Sequence, residues 1–127
     1  MEEEQWDESV TLQSLRTKMR EFSSLRDWDK FHTPRNLMLA LVGEIGELAE
    51  IFQWSGECEP GLPEFDESKK VHLSEELSDV LLYLVRLSDR CCVNLADAVE
   101  KKMEKNAIKY PADKCAGKCH KYTAYST

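Results

Sequence analysis

Two pairs of carboxylates carry most of the chemistry this chain can do. Glu44-Ile45-Gly46-Glu47 and Glu76-Leu77-Ser78-Asp79 each place two acids three residues apart. Both pairs lie inside apolar runs, NLMLALVGEIGELAEIFQW and HLSEELSDVLLYLVRL. Residues three apart share a helix face, so two such helices side by side would bring four carboxylates to one place. At about 5 Å and an effective dielectric of about 20, each like-charge pair costs about 3 kcal/mol. Such a cluster persists where the acids take up protons or cations neutralise them. An all-oxygen set suits a hard cation, Mg²⁺ above all, and helix-borne Mg²⁺ sites serve phosphate chemistry. The competing reading of any one acidic pair is a solvated helix face. Two pairs on successive helices, each with an apolar face opposite to fill a core, weaken that reading without removing it. Glu50 and Glu75 are further candidates as ligand or general base, with Glu75 read as surface.

Two more groups could serve a phosphate ligand. Lys102, Asn106 and Lys109 share a helix face at i, i+4 and i+7, followed by Tyr110 and Pro111. Cations there also complement a helix C-terminus with no further role. As a phosphate clamp they would offer ammonium charge and an amide. Trp28, His32 and Trp54 form the other group. Aromatic residues are more often core than ligand platforms. Here Trp28 and His32 stand among charged residues, and Trp54 falls on the acidic side of its helix, where flat rings suit stacking on a nucleobase. Cys115-x3-Cys119-His120 looks like half a zinc site without the other half. No Gly-rich phosphate loop, GxSxG or HExxH occurs.

The elements that must position these residues read as all-α. A first amphipathic helix covers about residues 10–26, with Leu12, Leu15, Met19 and Phe22 in line. Asp27–Thr33 is a loop. Thr33 caps the second helix, residues 34–54, with Pro34 in its first turn. On that helix Leu37, Leu41, Ile45, Leu48 and Phe52 share one side, while Asn36, Gly43, Glu47, Glu50 and Trp54 share another and Glu44 lies at the border. Gly43 and Gly46 inside a helix predict a close approach by a partner helix or ligand. Residues 55–68, with Gly56, Pro60, Gly61 and Pro63, form a turn-rich connection. The third helix, residues 67–91, has His72, Glu76, Asp79, Tyr83 and Arg86 on one side and Leu73, Leu77, Val80, Leu81 and Leu84 on another. Asn94 caps a fourth, residues 95–109, ended by Pro111. The domain organisation expected is a flexible acidic segment at 1–9, one all-α domain at 10–111, and a flexible tail at 112–127.

Composition narrows the class. The 127 residues suffice for one domain, and a net charge of −7 argues against a nucleic-acid polymer or an anionic membrane as partner. No stretch approaches the roughly 20 apolar residues of a membrane helix. The start, MEEEQWDESV, is unlike a signal peptide. Five irregularly spaced cysteines make a poor disulfide framework, so a reduced, intracellular protein is expected, cytoplasmic with the nucleus or an organelle as alternatives.

Glu44-x-x-Glu47 and Glu76-x-x-Asp79, separated by residues 48–75, resemble the metal signature of the all-α nucleoside triphosphate pyrophosphatases, the MazG-like group. RDWDKFHTPRNLMLALVGEIGELAEIFQW, EELSDVLLYLVRL and KMEKNAIKYP extend the resemblance over residues 10–111, toward the branch of that family acting on dCTP. It implies a four-helix bundle assembled as a homotetramer, and Mg²⁺-dependent hydrolysis of dNTPs to dNMP and pyrophosphate. The preferred substrates would be dCTP and its 5-modified analogues, and the role nucleotide-pool sanitation. Glu44, Glu47, Glu76 and Asp79 would be the Mg²⁺ ligands, and Glu47 or Glu50 the catalytic base. Trp28, His32, Trp54 and Tyr83 would contact the nucleotide, with Lys102, Asn106, Lys109 and Tyr110 on its phosphate side. Met19 departs from the pattern, standing where mammalian members carry a histidine at the nucleotide site. Rival readings are a related pyrophosphohydrolase acting on dUTP or phosphoribosyl-ATP, and a non-enzymatic helical interaction module. A di-iron carboxylate bundle would want Glu-x-x-His, which neither acidic motif contains.

Overall fold

The computed structural model describes residues 3–118, and these are helical throughout their regular parts. Each main helix begins where a polar side chain satisfies a free N–H. In α1 (Leu12–Leu25) Thr11 and Ser14 form a reciprocal capping box. Thr33 caps α2 (Pro34–Gln53), accepting from Asn36 N–H at 3.2 Å, and Pro34 occupies the first turn as its fixed φ favours. Asp66 caps α3 (Glu67–Arg90) and Asn94 caps α4 (Leu95–Lys109). The sequence limits are met within two residues at every end. Ala112–Cys115 add a single helical turn, α5, in a stretch whose composition predicts no regular structure.

The chain divides into two compact units, one running to Val93 and one starting at Asn94. In the first, α3 is the central element, packed along α2 and against α1. Leu37, Leu41 and Ile51 of α2, Phe65 of the connection and Val85 of α3 are its buried apolar residues. The second unit holds α4 and α5, with Leu95 and Ala98 half-buried on α4.

The buried face of α3 differs from the expected one. Glu76, Val85, Arg86 and Ser88 are its buried residues. Leu77, Leu81 and Leu84, expected in the core, stay exposed, Leu77 by 51%. On α2, Ile45 and Phe52 are likewise exposed and Ile51 takes the inward place. The acidic sides of α2 and α3 do face each other, as the pattern implies. The inward side of α3 therefore mixes Val85 with polar and charged residues, and the leucines Leu77, Leu81 and Leu84 lie on its outer side. The close approach expected at the two helix glycines is not seen among the described residues: a Cβ at Gly43 or Gly46 meets nothing within 4 Å.

Candidate metal centre

The facing sides of α2 and α3 bring carboxylates together as their spacing demands. Glu44 and Glu47 sit one turn apart on α2, at the level of Glu76 on α3, and one oxygen from each of the three lies within 4.8 Å of the others. Glu76 is buried and Glu44 half-buried. Neither Glu44 Oε2 nor Glu76 Oε2 has a hydrogen-bond partner, though both are shut off from solvent. A buried oxygen without a donor is costly and rare in native proteins. These two share a site with a third carboxylate, an all-oxygen set that fits a hard cation.

Electrostatics carry the same mark. Loss of water, then repulsion from Glu47, Asp79 and Glu76, pushes the Glu44 carboxyl up to about 6. Burial raises Glu76 as well, reinforced by Glu47 and Asp79 and opposed by His72, whose Nδ1 lies 3.9 Å from Glu76 Oε1. Asp79, half-buried one turn on from Glu76, acts on both groups, and on the Tyr83 phenol beyond it. Burial first, then Glu44, Asp79 and Glu47, holds that phenol above its usual range. Tyr83 therefore faces the same acidic cluster.

A cleft of about 490 Å³ opens beside the carboxylates, lined by Glu47, Glu50, Ile51, Trp54, Ser55, Lys69, His72 and Glu76. Trp54, at the C-terminal cap of α2, is 86% exposed, a large indole standing free at the cleft's edge. Lys69 was not singled out by sequence. Its Nζ donates to Ser55 Oγ at 2.9 Å and lies 4.1 Å from the Phe65 ring centroid. The available signal was spacing: Lys69 precedes His72 by three and Glu76 by seven, which puts all three on one helix face.

The loop between α1 and α2 holds Trp28 and His32. Trp28 packs edge-on to Phe22 at 5.7 Å and stands 6.2 Å from the His32 ring. The loop is tied down by Asn36 Nδ2 donating to Phe31 O at 3.0 Å and Arg90 Nε donating to His32 O at 2.9 Å. Met19 is half-buried on α1. Lys102, Asn106, Lys109 and Tyr110 belong to the second unit, where Asn106 and Lys109 are half-buried and Lys102 and Tyr110 exposed. Cys58, Cys91, Cys92 and Cys115 are free thiols. Cys119 and His120 lie outside the described residues.

A model of the MazG-like family matches residues 40–124, a span that includes both acidic pairs. The chain belongs to the MazG-like family. It is 51% identical over 113 residues to dCTP pyrophosphatase 1 of Rattus norvegicus, and 51% identical over 113 residues to that of Homo sapiens. Those alignments take in 89% of this chain and 66% of the relatives, so this MazG-like chain spans just under two thirds of their length. A crystal structure of a pyrophosphatase from Archaeoglobus fulgidus matches with a TM-score of 0.70 at 40% identity, over 85% of this chain and 99% of that one. No helix among the described residues is long and apolar enough to cross a membrane.

Proposed function

We propose that this MazG-like chain is a Mg²⁺-dependent nucleoside triphosphate pyrophosphatase. It hydrolyses dCTP and 5-modified dCTP to the monophosphate and pyrophosphate, and so clears them from the nucleotide pool. One observation carries the reading. Three carboxylates converge within 4.8 Å, two with buried oxygens that no group among the described residues satisfies, in a protein half identical to two dCTP pyrophosphatases.

Glu44, Glu47, Glu76 and Asp79 would hold the cation, and Mg²⁺ bound there would supply charge neutralisation for the triphosphate and a more acidic water. Glu47 or Glu50, both on the cleft wall, takes the proton that the water loses. Trp54 and Trp28 give the nucleobase flat apolar surface, and His32 and Tyr83 give it polar contacts. Lys102, Asn106, Lys109 and Tyr110, which resemble the family's phosphate-side segment, would serve the phosphates.

The working form is a homo-oligomer, a tetramer by that resemblance. Val42 and Ile45 of α2 and Leu77 and Leu81 of α3 are large apolar residues left exposed on the two packed helices. A second copy of the chain is their proposed cover.

Hydrolysis of dCTP, 5-methyl-dCTP, dUTP and phosphoribosyl-ATP with Mg²⁺ in ¹⁸O-water tests the reading. Label is expected in dCMP, with pyrophosphate as the other product and the cytosine substrates preferred. Label in pyrophosphate refutes attack at the α-phosphorus. Preference for dUTP or phosphoribosyl-ATP moves the substrate, and absence of any turnover returns the chain to an interaction module.

A further inference from the structure

Arg86 has no part in the reading above, yet it is 2% exposed at the centre of the first unit. One of its terminal nitrogens donates to Asp29 Oδ1 at 2.7 Å, and the other lies 3.5 Å from Asp89 Oδ2. Its Nε donates to His32 Nδ1 at 3.0 Å. The fully buried Ser23 hydroxyl lies 3.3 Å from the same Nδ1. A guanidinium has only N–H donors and keeps its charge at every accessible pH. The nitrogen it faces must therefore offer a lone pair. With Nδ1 so used, the ring proton sits on Nε2.

We propose that Arg86 is a positioning residue that holds His32 as a neutral imidazole in the Nε2–H form, a single N–H donor for an acceptor atom of the nucleotide beside Trp28. This rests on the reading of His32 as a nucleotide contact. A carboxylate in place of Arg86 would do the reverse, drawing a proton onto Nδ1 and making an imidazolium. The surrounding charges agree. Burial pushes the imidazole below its usual range, Arg86 and Arg90 add to that, and Asp29 opposes it. Arg86 can stay buried because Asp29 and Asp89 compensate it, and Asp89 is itself bridged to Arg20 at 2.7 Å and to Arg16 at 3.7 Å.

Long-range ¹H–¹⁵N NMR of the imidazole tests this in the full chain. Arg86→Met keeps length and removes the charge, while Asp89 retains Arg20 and Arg16. Arg86→Lys keeps the charge but cannot reach Asp29 and His32 together. The wild type should show one tautomer, Nε2–H, titrating below free histidine. In Arg86→Met the midpoint should rise from the wild-type value, because the cation beside Nδ1 is gone while Asp29 remains. Arg86→Lys should fall between. In dCTP hydrolysis the Met variant should show KM raised about 3–10-fold at pH above the new midpoint, where the unlocked neutral ring can carry its proton on Nδ1 and lose the Nε2–H donor, with kcat moving less. A wild-type His32 protonated on Nδ1, or titrating at or above free histidine, overturns the proposal even if the Met variant does not fold. An unchanged titration in a folded Met variant overturns it too. A locked tautomer in a protein that does not turn over dCTP would instead fault the substrate reading and strike out the nucleotide half of the proposal.

Discussion

Helix α3 carries two buried charged clusters, one around Glu76 and one around Asp89, and they are built on opposite plans. Around Glu76, the charges are nearly all negative: Glu47 and Asp79 raise both Glu44 and Glu76, and His72 is the counterweight that acts on Glu76. Around Asp89, every anion has its cation. Arg20 donates two hydrogen bonds of 2.7 Å to Asp89, Arg86 bridges Asp89 and Asp29, and the Asp89 carboxyl is held below its usual range chiefly by the Arg20 hydrogen bond. The balanced cluster needs nothing from outside and ties α1, the loop and α3 into one frame. The unbalanced one is left for a ligand to complete. Within one helix, burial with compensation marks architecture, and burial without it marks function.

The contrast predicts opposite responses to neutralising one acid. Asp89→Asn breaks a buried pair and leaves Arg86 short of a counter-charge, so it should cost about 3–5 kcal/mol. Glu44→Gln relieves repulsion and should leave the metal-free protein as stable or more so. Urea unfolding of the two variants side by side decides it, and a Glu44→Gln protein that loses as much as Asp89→Asn would erase the distinction.

Activity should separate them the other way. Glu47→Gln keeps shape and removes one anionic ligand, with an expected loss of about 10²-fold or more in turnover. Wild-type rates in Glu47→Gln and Asp79→Asn at limiting Mg²⁺ would sink the metal assignment.

The edge of the cleft sharpens the same division. A stacking ring is worth about 1–3 kcal/mol, so Trp54→Ala should raise KM about 5–150-fold with melting temperature unmoved, because the indole already stands in water. Trp28→Ala should raise KM similarly, with some loss of stability from its contact with Phe22. An unaltered KM in a stable Trp28→Ala protein would remove the loop from the site.

The smallest effect is in pH. The folded Glu44 carboxyl sits at about 6, above its ordinary 4.5, so between those values the folded state binds the extra proton. Its contribution to the metal-free protein therefore improves as pH falls through 6. Mg²⁺ competes with that proton, so stabilisation by Mg²⁺ in a thermal melt should be greater at pH 7.5 than at pH 5. Equal shifts at both would place the ion elsewhere.

What the sequence determined by itself is local. Helix limits follow from caps such as Thr33 and Asn94 and from apolar periodicity, which are properties of a few neighbouring residues. The acidic pairs were legible because i, i+3 spacing forces two side chains onto one face whatever the fold. Tertiary structure decided which face of α3 turns inward. Periodicity shows that two faces differ but not which one a neighbouring helix will cover, and here the polar face won while Leu77, Leu81 and Leu84 were left outside. It also decided the company of Arg86. Asp29 and His32 are more than fifty residues away along the chain, and Arg16 and Arg20 approach only when α1 packs on α3. No spacing rule reaches that far, because such contacts are set by how helices dock and not by the turn of any one of them.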